Sequence, residues 1–189
     1  MSLAAEVIAT GVTADEYLAR DDWPRWSQLI DGEVVVNAPL LPHQIVLGKL
    51  YARLFAWCEA EPGRGFVGLS TDLPLGPRDV YAPDLWWIGE QRRPVPGQLR
   101  LVGLPDLVVE VRSPSTWRYD KGRKRQRYEA GGVPELWLVD TVARSVLAYR
   151  RSAPGQTAFD EPVAIPEAGT LTSPLLPGFS LGVAEALAL

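Results

Sequence analysis

Between residues 107 and 139 the chain sets two strongly apolar runs around a strongly charged one, and that alternation limits the folds open to it. Leu107–Val108–Val109–Glu110–Val111 and Glu135–Leu136–Trp137–Leu138–Val139 have the length and the β-branched and aromatic content of strands. The segment between them, roughly Arg118 to Ala130, is closed by Gly131–Gly132 and reads as a helix with a glycine C-cap. A strand, helix, strand unit lays its two strands side by side in parallel. Nearer the N-terminus, Gln28–Leu29–Ile30 and Val34–Val35–Val36 flank Asp31–Gly32–Glu33. Asp-Gly between β-prone runs predicts a hairpin, and so antiparallel pairing, with Glu33 opening the second strand. The expectation is an α/β fold with a central mixed sheet flanked by helices.

The remaining elements fill out that frame. Thr13 and Glu16 stand at capping-box spacing and start a short helix, which Trp23, Pro24 and Trp26 interrupt. From His43 to Glu61, Val46, Leu47, Leu50, Leu54, Phe55 and Trp57 recur at helical spacing until Pro62 and Gly63. Phe66 to Leu69, Val80 to Ile88 and Val146 to Tyr149 read as further strands, and a Gly-, Pro- and Arg-rich loop from Gly89 to Pro105 precedes the run at Leu107. Beyond Arg151 the chain is rich in Pro and Gly, with Thr170 to Leu181 an irregular wrap. At 189 residues this is one domain, 1–189, with no repeat.

Rare residues exclude much chemistry. Cys58 is the single cysteine and His43 the single histidine, which removes disulfides, zinc fingers and His- or Cys-based metal clips. A bound metal would rest on carboxylates, favouring Mg²⁺, Mn²⁺ or Ca²⁺. The net charge of −4 argues against a wholly basic nucleic-acid coat and leaves room for a local basic patch. No apolar run approaches the roughly 20 residues that cross a bilayer, and the N-terminal stretch carries Glu6 and no basic region. A soluble, cytoplasmic protein is expected.

Three acids stand out. Alternation along Val80–Ile88 puts Asp84 on the face of Ala82, Trp86 and Ile88. Glu110 ends an apolar strand and shares a face with Val108 and Arg112. A buried carboxylate costs several kcal/mol unless it is paired or bound to a metal, so Glu110 is either an ion-pair partner of Arg112 or another basic residue, or a ligand. Glu33, in the hairpin, is most simply an exposed turn residue. From Arg112 to Arg127, seven basic residues (Arg112, Arg118, Lys121, Arg123, Lys124, Arg125 and Arg127) face one acid, Asp120. At about 100° per residue Asp120, Lys124 and Tyr128 share a helical face. The segment shows little apolar stripe and reads as a solvated helix, so that Lys124→Ala would cost under about 0.5 kcal/mol. The short loop after Glu110 nevertheless returns it near the strand end, where Lys124 meets the carboxylates. His43 is either a hydrogen-bonding group at its helix start or a catalytic one.

The ordered set Glu110–Val111–Arg112–Ser113–Pro114–Ser115–Thr116, Asp120, Lys124, Tyr128 and Gly132–Val133–Pro134–Glu135–Leu136–Trp137–Leu138–Val139–Asp140 resembles the Uma-two family of endonucleases, a branch of the restriction-endonuclease-like, PD-(D/E)xK superfamily. Asp31–Gly32–Glu33, His43–Gln44, Pro83–Asp84 and Leu176–Pro177–Gly178–Phe179 extend the resemblance over nearly the whole chain. The resemblance implies a restriction-endonuclease-like fold and Mg²⁺- or Mn²⁺-dependent hydrolysis of DNA phosphodiesters. It puts metal ligands at Asp84, Glu110 and the Val111 carbonyl, and the first-motif glutamate at Glu33. The superfamily lysine falls two residues after the glutamate, here Arg112, whereas the family places a lysine on the following helix, matching Lys124; Arg112, His43, Asp120 and Tyr128 are then supporting residues. From its charge, the basic segment (Arg118, Lys121, Arg123, Arg125, Arg127), with Arg92, Arg93 and Arg100 of the long loop, is where DNA would bind. A homodimer is expected because two-fold pairing is the commonest assembly. Two rival readings are a nucleic-acid-binding protein on the same scaffold that does not cleave, and a protein-interaction domain whose acids and bases form a structural network.

Overall fold

The computed structural model describes residues 5–98, 101, 103–153 and 155–189, so Arg100 lies outside the described residues. In chain order the elements are β1 (Glu6–Thr10), α1 (Ala14–Leu18), β2 (Ser27–Ile30), β3 (Glu33–Val36), α2 (Leu41–Ala60), β4 (Phe66–Leu69), β5 (Leu73–Gly76), β6 (Asp79–Tyr81), β7 (Leu85–Ile88) and β8 (Leu107–Val111). Then follow α3 (Trp117–Tyr119), a π-helical turn (Asp120–Lys124), α4 (Arg125–Gly131), β9 (Glu135–Asp140), β10 (Ser145–Arg150), β11 (Val163–Pro166), β12 (Thr170–Leu171), β13 (Leu181–Gly182) and α5 (Val183–Leu187).

The expected mixed sheet has six strands in the order β11-β10-β9-β8-β7-β4. β8 and β9 pair in parallel, from Leu107 opposite Glu135 to Val111 opposite Val139, and the other neighbours are antiparallel. All five residues of β8 are buried because both faces are covered. On one face Val109 and Val111 pack with Val46, Leu50 and Leu54 of α2 and with Leu176 and Phe179 of the C-terminal wrap. On the other, Val108, Leu136 and Leu138 meet Trp117, Tyr119 and Tyr128 of the basic segment and Ile30, Val35, Leu73 and Tyr81 of a second sheet.

That second sheet, five-stranded and antiparallel in the order β1-β3-β2-β6-β5, goes beyond the single sheet expected. Its outer face is covered by Ala14 and Tyr17 of α1, which opens with the predicted capping box of Thr13 and Glu16. The β2–β3 hairpin turns on Asp31 (φ 54°) and Gly32 (φ 78°), the paired left-handed residues that a two-residue turn demands. The positive φ is what asks for glycine at position 32; the Arg78 guanidinium that a Cβ would meet is the end of a flexible side chain.

The run from Val80 to Ile88 is not one strand but two in different sheets, β6 and β7, separated at Ala82–Pro83–Asp84. Pro83 has no N–H to give a ladder, and the Ala82 N–H is taken by the Gln28 side chain at 3.1 Å. The break releases Asp84 from the alternation that would have set it beside Trp86 and Ile88.

Apart from Asp31 and from Arg144 in the β9–β10 turn, Trp26 is the described non-glycine residue with positive φ (68°). For a bulky aromatic side chain this conformation costs about 1–3 kcal/mol. It is held by the Asn37 N–H on the Trp26 carbonyl (3.2 Å) and the Ser27 N–H on Pro24 (3.2 Å). No described helix is long and apolar enough to cross a membrane.

Candidate active site

Continuing the β7–β8 register one step beyond Leu85 opposite Val109 sets Asp84 opposite Glu110 at the end of the sheet. Both side chains line one cleft, about 380 Å³ in volume, together with His43, Val111, Asp120 and Lys124. The acids and the lysine, spread from position 84 to position 124, are thus brought together by one antiparallel pairing and one crossover.

Asp84 collects its partners on one oxygen: Oδ2 accepts from the Val111 N–H (2.7 Å) and from Nε2 of His43 (3.0 Å). His43, third residue of α2, does not cap that helix, because its ring reaches across to Asp84 instead. Burial would push its imidazole down, but the hydrogen bond and charge of Asp84, with Glu110 and Asp120 behind it, outweigh burial and hold it above its usual value.

Glu110 is 3% exposed, and its Oε1 accepts from the Tyr128 hydroxyl (2.7 Å) and pairs with the Lys124 ammonium (2.6 Å). Lys124, also 3% exposed, pairs with Asp120 at 3.2 Å. Burial raises the Glu110 carboxyl and the charges of Asp120 and Asp84 raise it further, with Lys124 pulling the other way, so that it stands at about 8. Burial also pushes the Asp120 carboxyl up. For Lys124 burial favours the neutral amine, but Glu110, Asp120 and Asp84 prevail and keep it charged well above the working range of pH.

The geometry corrects the expectation of a solvated helix and decides between the alternatives left open for the other residues. Lys124 is buried, and the basic segment is no solvated helix: Trp117, Tyr119 and Tyr128 anchor it to the sheet. The partner of Glu110 is Lys124, whereas Arg112 points to Asp140 (2.8 and 3.0 Å to its two oxygens) and is not among the described residues lining the cleft. Glu33 is likewise absent from that lining; it faces Arg123 at 3.6 Å, as does Asp31. Of the other cations, Arg125 pairs with Glu129, Arg127 with the buried Asp79, Arg92 with Asp106 and Arg93 with Glu90. Arg118 and Lys121 stand over the rings of Tyr119 and Trp117 and have no acidic partner among the described residues.

Sequence reasoning passed over part of the cleft wall. Asn37 at the end of β3 donates to Ser113 (3.1 Å) and Thr116 and accepts from Ser115, so the polar loop Ser113–Thr116 is fastened to the second sheet beside Glu110. The run of short hydroxyl residues after an apolar strand was the available signal. Arg25 and Trp26 also line the cleft, and only their polar and aromatic character on an irregular stretch marked them.

A divalent ion is consistent with this donor set. Three carboxyl groups converge on one ammonium and one imidazole, the Glu110 carboxyl is pushed up to about 8 in that company, and the donors are hard oxygens. Among the described residues no group of three or more His, Cys, Asp and Glu side chains forms a ready metal cage, so an ion would rest on Asp84 and Glu110 with a backbone carbonyl and water.

A mixed sheet with paired carboxyl groups and a buried lysine at its open end defines the class of fold as restriction-endonuclease-like. A family model described as "Uma2: Putative restriction endonuclease" matches residues 14–184, and the chain belongs to that family. Among solved structures, the chain is similar to a putative nuclease belonging to DUF820 from Anabaena variabilis, at 17% identity and a TM-score of 0.77, covering 93% of this chain and 97% of that one. Comparison with curated proteins gave no significant match.

Proposed function

We propose that the chain is a divalent-metal-dependent DNA endonuclease that hydrolyses phosphodiester bonds, working as one restriction-endonuclease-like domain. The observation that carries this reading is the meeting of Asp84 and Glu110 in one cleft with a lysine that stays charged. Asp84, Glu110 and the Val111 carbonyl would hold Mg²⁺ or Mn²⁺. When bound, the ion supplies Lewis-acid polarisation of the phosphate and a lowered pKa for water.

The side chains have separate duties. Val111 N–H and His43 fix the Asp84 carboxylate through Oδ2, which leaves Oδ1 for a ligand. Tyr128 and Lys124 fix Glu110 through Oε1 in the same way. Because its neighbours hold Lys124 protonated, it is no general base; it offsets the charge that builds on the phosphoryl oxygens and donates to the attacking water. Asp120 anchors the lysine one helical turn away. Arg118 and Lys121 are the cations of the basic segment free to meet phosphates, while Arg123, Arg125 and Arg127 serve the fold through their acids. A homodimer would offer two clefts to two strands.

Calorimetric titration of Mg²⁺ and Mn²⁺ into the wild type and Asp84→Asn, alongside plasmid cleavage, tests the reading. Binding and cleavage in the wild type, both lost in Asp84→Asn, are expected. Metal binding without cleavage of any DNA would favour the non-cleaving scaffold, and no metal binding would leave the acids a structural network.

A further inference from the structure

Beyond the acids, the rim of the cleft carries a feature that neither folding nor the chemistry of hydrolysis requires. Trp26 holds a left-handed backbone and still leaves 39% of its surface exposed, more than any fully packed aromatic of the core. Its ring lines the active cleft and also the neighbouring depression, whose wall includes Tyr17, Arg20 and Trp23. The Arg25 guanidinium stands 4.6 Å from the Trp26 ring centroid and has no acidic partner among the described residues. In the depression Trp23 stacks on Tyr17 at 5.6 Å, with Arg20 at 3.9 Å from its centroid.

We propose that Arg25 and Trp26 form a stacking platform for an unpaired base of the substrate strand, so that the nuclease acts on single-stranded or locally opened DNA. The proposal rests on the nuclease reading and narrows its substrate. A base within a duplex offers only its edges to a protein, and an aromatic face engages a base that has left the stack. The depth of the reacting groups agrees: Glu110 and Lys124 are each 3% exposed, so the scissile phosphate must enter the cleft, which a flexible strand does more readily than a stiff duplex. Arg25, next to the ring, meets the phosphate on its way in.

The test measures binding and cleavage separately. Fluorescence anisotropy in EDTA gives the affinities of a 20-nucleotide single strand and of its duplex for the wild type, Trp26→Ala and Trp26→Phe, with melting temperatures recorded for each. Single-strand affinity should exceed duplex affinity in the wild type. It should fall about tenfold in Trp26→Ala, return to within about threefold in Trp26→Phe, and leave duplex affinity nearly unchanged. Equal loss on both DNAs, no loss on either, or no rescue by phenylalanine would overturn the platform. Metal-dependent cleavage of duplex plasmid with Trp26→Ala behaving as wild type would remove the platform and keep the nuclease. A wild type that neither binds nor cuts DNA would remove both.

Discussion

Two buried glutamates lie on adjacent parallel strands, and they are built for opposite purposes. Glu135, at the start of β9 and 1% exposed, is satisfied on both oxygens: Trp137 and Arg150 on Oε1, Ser173 on Oε2 at 2.6 Å. Its single cation, Arg150, matches its single charge, and the network ties the sheet to the C-terminal wrap. Glu110, at the far end of β8, is nearly as buried, but its partners crowd one oxygen, and burial together with the charges of Asp120 and Asp84 pushes its carboxyl up to about 8 in spite of Lys124. Burial of a carboxylate therefore does not identify a site. What separates the two is whether charge and hydrogen bonds close within the protein or leave a deficit facing a cleft.

The comparison is broken most forcefully at Lys124. Lys124→Met keeps the volume and removes the cation, leaving Glu110 and Asp120 without their partner, and should cost about 3–5 kcal/mol in urea unfolding. Mg²⁺ or Mn²⁺ should restore part of that loss, because a cation again faces the acids. A loss under 1 kcal/mol, as for an exposed lysine, would mean that the cleft carries no charge deficit.

The glutamates themselves should diverge next. Glu135→Gln strands Arg150 and should cost about 2–3 kcal/mol. Glu110→Gln resembles the protonated acid, leaves Lys124 paired with Asp120, and should change stability by less than about 1 kcal/mol while abolishing metal-dependent cleavage. Equal costs in chemical denaturation would erase the distinction between the two networks.

A pH titration sharpens it further. The carboxyl of Glu110 is raised in the folded protein from the ordinary 4.5 to about 8, chiefly by burial. Between those values the folded state keeps a proton that the unfolded chain has released, so this stabilisation is full below about 4.5 and is lost as pH rises through 8. Melting temperatures should therefore decline across that window in the wild type and in Glu135→Gln, and decline less in Glu110→Gln. Added Mg²⁺ or Mn²⁺ should flatten the wild-type slope by taking up the ionised carboxylate. A slope unaltered by Glu110→Gln would assign the proton elsewhere.

How much of this was legible in the sequence follows from where the information is local. Thr13 with Glu16, Asp31 with Gly32, and Gly132 (φ 96°) after α4 each state their own backbone geometry, and all three stand where they were read. The return of Lys124 to Glu110 was legible from the short loop after the strand, but the arrival of Asp84 beside them was legible only through an ordered resemblance, since it rests on the pairing of β7 with β8, which no short window contains. The burial of Lys124 was hidden because Trp117, Tyr119 and Tyr128 dock the segment around a π-helical turn, which does not keep a regular apolar stripe. β1 escaped for a plainer reason: most of it is exposed, with Val7 and Ile8 facing outward, so it shows no inward alternation.

The smallest effect is expected at Arg112, and it decides which basic residue serves the acids. Position alone favours Arg112, two residues beyond Glu110, where the superfamily pattern carries its lysine. Its guanidinium instead holds both oxygens of Asp140, whose Oδ1 also accepts the Val142 and Ala143 N–H groups (2.9 Å each) in the turn into β10. Arg112→Ala leaves the mostly buried Asp140 with its two backbone donors and vacates the half-buried place of Arg112, which water can enter, so the cost should be about 1 kcal/mol. Single-turnover cleavage of plasmid DNA by this variant should stay within about threefold of wild type, because the Arg112 side chain is not among the described residues lining the cleft and no step needs it. Lys124→Met, still folded in the presence of Mn²⁺, should lose most turnover in the same assay. Full activity without Lys124 and its loss without Arg112 would reverse the assignment. It would also mean that, on this sheet, the ion pair closed on itself does the chemistry and the one facing the cleft does not.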